Sequence, residues 1–176
     1  MKLASLRLTA LTLGLVSSGF SAAETYIVDR YQDDSAKGSL RWAIEQSNTN
    51  TAQENEILIQ AVGKAPYIIK ADKPLPPIKS SVKIIGTQWD KTGEFIAIDG
   101  SNYIKGEGAK ACPGANPEQY GTNVRTTTLP GLVLQDVNGV TLKGLDIHRF
   151  CIGVLVNRSS NNLIQHNRIS NNYGGS

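Results

Sequence analysis

Three polar side chains near the end of the sequence have the types and the spacing needed for acid–base chemistry. Asp146 and His148 are two positions apart in a run of alternating apolar and polar residues, so on a β-strand they point to the same side. Arg168 follows Asp146 at the interval of the internal repeat described below, and is expected beside it. A carboxylate, an imidazole and a guanidinium on one face could bind an acidic sugar, with His148 as the proton acceptor. The simpler alternative is an ordinary surface ion pair between Asp146 and Arg168, without a function.

The other polar groups of the sequence do not form a comparable site. Asp33 and Asp34 belong to a hydrophilic turn, and Asp90 and Asp99 are isolated, so the paired carboxylates of a hydrolase are missing. The sequence has no cluster of acidic residues at repeat spacing that would bind Ca²⁺. His166 is interpreted as a turn residue. Three tyrosines in predicted loops are expected to pack locally: Tyr103, Tyr120 and Tyr173.

An internal repeat indicates how the chain folds. Residues 131–152 align with residues 153–174, and the apolar residues of the two segments coincide, as Leu142 does with Ile164. A fixed period is typical of a solenoid, in which each repeat buries its apolar face by stacking on its neighbours. The apolar residues alternate, and no run is long enough for two helices, which excludes helical repeats. We therefore predict an all-β fold, a right-handed parallel β-helix solenoid, in which Leu142 lies over Ile164.

The asparagines of the last repeat are interpreted as turn residues rather than as ligands. Asn tolerates the left-handed backbone region, and its amide can bond to exposed backbone or to the next layer of the stack. The residues concerned are Asn161, Asn162, Asn167, Asn171 and Asn172.

The remaining sequence is predicted to divide into three parts. Residues 1–23 have a charged start, a short apolar run and small residues at a cleavage site, the pattern of a signal peptide; the run is too short for a membrane anchor. Residues 24–55 hold a strand and a helix that covers one end of the solenoid. Residues 56–176 form the stacked strands, with an inserted loop at about 101–130. We expect the solenoid to be truncated at its C-terminus, because residue 176 closes a repeat without a polar cap.

The composition indicates which partners are unfavourable and how the redox compartment affects the cysteines. The chain of 176 residues has a net charge of +3, and most of this excess lies in residues 1–23, so nucleic acid is not favoured as a partner. The mature chain has no apolar run long enough to span a membrane. In an oxidising compartment a disulfide between Cys112 and Cys151 is plausible, and two free thiols are the alternative.

Two features of the sequence resemble a known family. Residues Gly38–Ile44 are similar to the N-terminal CSLREA motif of exported bacterial proteins, with Gly38 in place of Cys and Trp42 in place of Glu. The Asn-x-Ile repeats resemble those of the right-handed parallel β-helix (pectate-lyase-like) superfamily.

The resemblance implies a secreted or periplasmic protein that binds or processes a polysaccharide or a cell-surface glycan. As an enzyme it would be a polysaccharide lyase, an epimerase or a glycoside hydrolase. The alternative is a non-catalytic adhesin or passenger module. No cofactor is evident, and Ca²⁺ is implied only by analogy with the family.

Overall fold

The computed structural model describes residues 22–51, 53–104, 112 and 129–173. Their secondary structure consists of eleven strands and two helices. In chain order these are β1 (Thr25–Val28), α1 (Leu40–Thr49), β2 (Asn55–Ile59), β3 (Ile68–Lys70), β4 (Val82–Gly86), α2 (Trp89–Thr92), β5 (Ile96–Asp99), β6 (Pro130–Gln135), β7 (Val140–Lys143), β8 (Leu145–His148), β9 (Ile152–Asn157), β10 (Leu163–Gln165) and β11 (Arg168–Ile169).

The strands form three sheets in which every pairing is parallel. The first sheet has the order β1-β2-β4-β7-β10, the second β3-β5-β8-β11 and the third β6-β9. β1 and β2 are neighbours in the first sheet and are connected through α1, and from β2 onwards successive strands lie in different sheets. A parallel neighbour requires such a crossover, because a tight hairpin can only join antiparallel strands.

The register of the last two repeats confirms the stacking predicted from the repeat in the sequence. Leu142 of β7 pairs with Ile164 of β10, and Asp146 of β8 pairs with Arg168 of β11. In the third sheet Leu132 is in register with Val154. Equal repeat length brings equivalent residues into adjacent strands, which are about 4.8 Å apart.

The core consists of the side chains that point into the space between the sheets. Along the first sheet the inward residues Ile57, Ile84 and Leu142 are stacked in register, and all three are fully buried. In the second sheet Ile98 and Ile147 form an equivalent buried pair. Strand side chains alternate between the two faces, so β-branched residues at every second position supply a continuous apolar column.

Helix α1 closes one end of the stack. The Ser39 hydroxyl accepts a hydrogen bond from the Trp42 amide at 3.1 Å, which satisfies one of the unpaired donors of the first helical turn. Leu40, Ala43 and Ile44 are buried against β1 and β2, on the helical face that the sequence spacing predicts.

The predicted fold class is corrected by this arrangement. We predicted an all-β class, a right-handed parallel β-helix solenoid with one helix at its end, whereas the structure combines parallel sheets with two helices in an α/β-like arrangement. The physical reason is that α1 belongs to the main core: Leu40, Ala43 and Ile44 lie in the same buried cluster as the strand residues. Helix α2 follows β4 and was not predicted.

Asparagines at the ends of the last strands bond to the preceding repeat. The side-chain oxygens of Asn162, Asn167 and Asn172 each accept a hydrogen bond from the backbone amide at the equivalent position one repeat earlier, at 3.0 Å. Asn161 and Asn171 have φ of 54°, in the left-handed region. The predicted turn role of these five asparagines is confirmed.

Two predicted segments lie partly outside the described residues. Of the predicted signal peptide, residues 1–21 are not described, and of the inserted loop, residues 105–111 and 113–128 are not. Cys112 is described and forms a disulfide with Cys151, with 5.3 Å between their Cα atoms. Within the described ranges, no helix has the length and apolar character needed to cross a bilayer.

An exposed ion pair between the last two repeats lowers the pKa of Asp136. Arg158 donates two hydrogen bonds to the carboxylate of Asp136, and these lower the Asp136 pKa from 3.8 to about 2. Because the folded-state pKa is lowered, the stabilisation is present above pH 4 and is lost as the pH falls through about 2. We expect Arg158→Gln to return the Asp136 pKa towards 3.8, as measured by carboxyl ¹³C NMR. An unchanged pKa in this variant would contradict the pairing.

Candidate functional site

The structure brings Asp146, His148 and Arg168 together on the outer face of the second sheet. Asp146 and His148 alternate along β8 with Leu145 and Ile147, which are fully buried, so the two polar side chains point outwards. Arg168 is on β11, in register with Asp146, and its guanidinium lies 3.3 Å from the Asp146 carboxylate. The predicted grouping of the three side chains is therefore present.

His148 lies between two carboxylates. Its Nδ1 is 3.1 Å from Oδ1 of Asp146, within hydrogen-bond range, and a proton on Nδ1 would be donated to that carboxylate. Its Nε2 is 3.8 Å from Oδ2 of Asp99, which is too far for a hydrogen bond. The Asp146 bond therefore orients the ring through Nδ1, and Nε2 lies on the side of Asp99.

Asp99 is a buried carboxylate behind the imidazole. Its side chain is 2% exposed and accepts hydrogen bonds from the Ser101 amide at 2.8 Å and from Arg149 at 3.2 Å. Parallel pairing of β5 and β8 sets Asp99 beside His148. Asp99 is isolated in the sequence, because it is distant from His148 along the chain and the inserted loop interrupts the repeat between them.

Arg168 is held in place by two contacts. Its guanidinium lies over the ring of Phe95, 4.9 Å from the ring centre, and pairs with Asp146 on one side. The side chain is 58% exposed, so part of the guanidinium remains open to solvent. A cation stacked on an aromatic ring with free donors is suited to binding a carboxylate.

These side chains line an open cavity of about 630 Å³. This volume is within the range of small-molecule sites, which are roughly 300–1,000 Å³. One wall is polar and comes from β8 and β11, and the other is largely apolar. The second wall includes Tyr67, Ile68 and Phe95, from β3 and the segments beside β3 and β5. Sequence reasoning missed Phe95 and Tyr67, because both lie in earlier passages of the chain that do not follow the spacing of the repeat.

The described residues among the other candidates, His166, Tyr103 and Tyr173, do not line this cavity. His166 is at a turn with φ of 51° and stacks on Trp89, with 5.5 Å between the ring centres, as expected for a turn residue. Tyr103 packs on Phe150, and burial raises the Tyr103 pKa to about 12. Tyr173 packs against the cluster that contains the disulfide, and Tyr120 lies outside the described residues. In the described segments, no group of three or more His, Cys, Asp or Glu side chains is arranged to hold a metal ion.

Comparison with known proteins gives a close match of limited coverage. Over 175 residues the chain is 89% identical to the 3-dehydroshikimate dehydratase of Acinetobacter baylyi. The match covers 99% of this chain and 36% of the relative, so the chain spans about a third of the relative's length. No family model matches the chain.

The match corrects the functional interpretation drawn from the sequence. The relative is named 3-dehydroshikimate dehydratase, so the identification with the pectate-lyase-like superfamily and its CSLREA segment is wrong. A polysaccharide or cell-surface glycan as partner and the adhesin alternative are corrected for the same reason. The secreted or periplasmic location was predicted together with the polysaccharide interpretation and is corrected with it by the same match. The broader prediction of an enzyme agrees with the match, whereas the lyase, epimerase and hydrolase classes do not.

Proposed function

We propose that this chain is part of an enzyme that removes water from 3-dehydroshikimate, and that the cavity of Asp146, His148 and Arg168 belongs to its active site. The observation that carries the proposal is the 89% identity to a relative of that name over nearly the whole chain. At that identity the fold and the side chains of a site are expected to be shared. The cavity supports the proposal because its charges and its size suit a small carboxylic acid.

The chemistry of the substrate matches the two walls of the cavity. 3-Dehydroshikimate is a six-membered carbon ring that carries a carboxylate, a ketone and hydroxyl groups. The Arg168 guanidinium is suited to the carboxylate, because charge-assisted pairs of this kind are short and directional. Tyr67 and Ile68 also line the cavity and offer an apolar surface to the carbon ring, whereas the ring of Phe95 is occupied by its contacts with Arg168 and Trp89.

His148 is suited to transfer the proton. Dehydration breaks a C–H bond beside the ketone and a C–O bond at the neighbouring carbon, while a C=C bond forms between the two carbons. His148 Nε2 would accept the carbon-bound proton and then give it to the departing hydroxyl, so that water leaves and the imidazole returns to its starting state.

Asp146 would act as a positioning residue in this scheme. It bonds Nδ1 of His148 at 3.1 Å and Arg168 at 3.3 Å, so one carboxylate fixes both the proton acceptor and the cation. Holding the reacting groups in one geometry is worth several kcal/mol in enzymes generally. The longer protein can add further residues to the site, because this chain spans 36% of the relative's length.

The direct test is turnover by the full-length protein that contains this chain. Incubation with 3-dehydroshikimate should give a product lighter by one water molecule, detected by mass spectrometry. Quinate and shikimate, which lack the ketone, should remain unchanged, because the proton to be removed is then not acidified. Absence of the dehydrated product under conditions where the protein is folded would contradict the proposal.

We expect Arg168→Gln to raise KM for 3-dehydroshikimate by roughly 10- to 100-fold with a smaller effect on kcat, because the lost contact is to a non-reacting carboxylate. The matched control is Arg158→Gln, since Arg158 forms the same kind of pair with Asp136 but does not line the cavity. Steady-state kinetics of both variants provide the measurement. Equal KM values for the two variants would show that Arg168 does not bind the substrate.

A further inference from the structure

The last strand of each sheet is unpaired on one side within the described part of the chain. β10, β11 and β9 are the terminal strands of the first, second and third sheets, and each has one hydrogen-bonded neighbour. Such an edge presents a row of N–H and C=O groups that can pair with another strand. The three edges lie at the same end of the stack, because the three strands belong to one passage of the chain.

The inward side chains at this end are exposed, although their partners in the preceding repeat are buried. Ile164 is 40% exposed, whereas its register partner Leu142 is fully buried. Val156 is 47% exposed above the fully buried Leu134, and Ile169 of β11 is 44% exposed. The apolar columns of the core therefore continue to this end, where their last side chains are exposed to solvent. Soluble proteins rarely expose a contiguous apolar surface of this kind.

The two ends of the stack differ in how they are covered. At the opposite end α1 packs on β1 and β2 and buries Leu40, Ala43 and Ile44. At the end formed by β9, β10 and β11, a depression of about 560 Å³ remains, and its lining includes Val156, Ile164 and Ile169. No described element covers it.

We propose that this edge surface, defined as Val156, Ile164 and Ile169 with the free sides of β9, β10 and β11, binds a further layer of parallel strands. The occupant is polypeptide of the same longer protein, from the part that lies outside this chain. The relative supplies enough chain for this, because the match covers 36% of its length. Strands added in the same direction and register would extend the inward columns and cover all three side chains.

The added layer would also contribute to the cavity. Arg168 lies on β11, the terminal strand of its sheet, so the next strand would run directly beside it. That strand would supply one wall of the site next to the guanidinium. The interface itself does not rest on the proposed function, since it is inferred from exposed edges and apolar side chains.

Two adjacent residues of β10 provide the test, made in the full-length protein. Ile164 points inwards over Leu142, and Leu163 points outwards over Thr141, yet both are exposed, by 40% and 49%. If a further layer covers the edge, Ile164→Lys buries an unpaired charge and should lower Tm by at least about 5 °C. Leu163→Lys should shift Tm by no more than about 2 °C. Equal, small shifts for both variants would overturn the proposal.

Hydrogen exchange of the unmodified full-length protein gives a second and independent measurement. The amides of β10 should exchange as slowly as those of β7, within about tenfold, because both strands would then be paired on two sides. Fast exchange of the β10 amides would overturn the proposal. This measurement uses the unmodified protein, so it remains decisive even if neither lysine variant folds. Protection that falls on dilution would assign the edge to a second copy and would also overturn it. Neither measurement uses 3-dehydroshikimate, so this proposal and the proposed function fail separately.

Discussion

His148→Ala should lower kcat for dehydration of 3-dehydroshikimate by roughly 10²- to 10⁴-fold, the usual contribution of a positioned acid–base group. The reason is geometric. His148 is the imidazole that lines the cavity, and Asp146 holds its Nδ1 at 3.1 Å, so Nε2 is the nitrogen that would exchange a proton with the substrate. KM should change much less than kcat, because the proposed contact to the substrate carboxylate belongs to Arg168.

The sequence provides a matched control in His166, its second histidine. His166 lies at a turn with positive φ and stacks on Trp89 outside the cavity, and Asn tolerates this backbone conformation. His166→Asn should therefore retain kcat within about threefold, since it changes no group of the cavity. If both variants lose the same activity, or if His148→Ala keeps it, His148 does not transfer the proton.

Ile84→Ala should lower the free energy of unfolding by about 2–5 kcal/mol. Ile84 is fully buried in β4, in register with Ile57 on one side and Leu142 on the other. Removing its side chain leaves a cavity in the middle of an apolar column that the neighbouring strands cannot fill. Urea unfolding followed by circular dichroism measures the loss, with an unchanged m-value if the native state is otherwise intact.

Ile85→Ala is the matched control for this variant, because Ile85 is the next residue of the same strand and points to the other face. It is half-buried, so its truncation should cost about 1 kcal/mol or less. Similar losses for the two variants would contradict the alternation of inward and outward side chains in β4.

The later part of the fold could be predicted because its two repeats have equal length. Equivalent residues such as Leu142 and Ile164 lie one repeat apart, and the sequence itself shows which ones stack. The earlier strands could be recognised but not placed in register. Ile84 pairs with Ile57 on one side and with Leu142 on the other, although the second partner is about twice as distant along the chain as the first. Loops of unequal length hide the repeat in the sequence, but the strands still stack. The reason is that a longer loop adds little to the entropy lost when its two ends are brought together.

Buried charges were the main feature that sequence reasoning could not find. Asp33 was assigned to a hydrophilic turn, yet its side chain is 2% exposed and pairs with Arg41 of α1 at 2.7 Å. Asp99 was considered isolated, yet it lies behind His148. Carboxylates in turn-rich sequence are usually solvated, and only the tertiary arrangement supplies the partners that allow burial.

The functional class could not be predicted from the residues alone. The grouping of Asp146, His148 and Arg168 was predicted from spacing, but the same three side chains fit an acidic sugar and a small carboxylic acid equally well. Fold-level resemblance pointed to polysaccharides, and fold does not determine function. The match to a relative named a dehydratase was needed to favour a small ligand, and the size of the cavity, about 630 Å³, is compatible with one.

The most direct test is a crystal structure of the full-length His148→Ala protein soaked with 3-dehydroshikimate, in which loss of the proton acceptor should leave the substrate intact. The account predicts electron density for the ring beside Tyr67, with the carboxylate within hydrogen-bond distance of Arg168 and the ketone side towards position 148. Density for the ligand at another place on the protein, with this cavity empty, would contradict it.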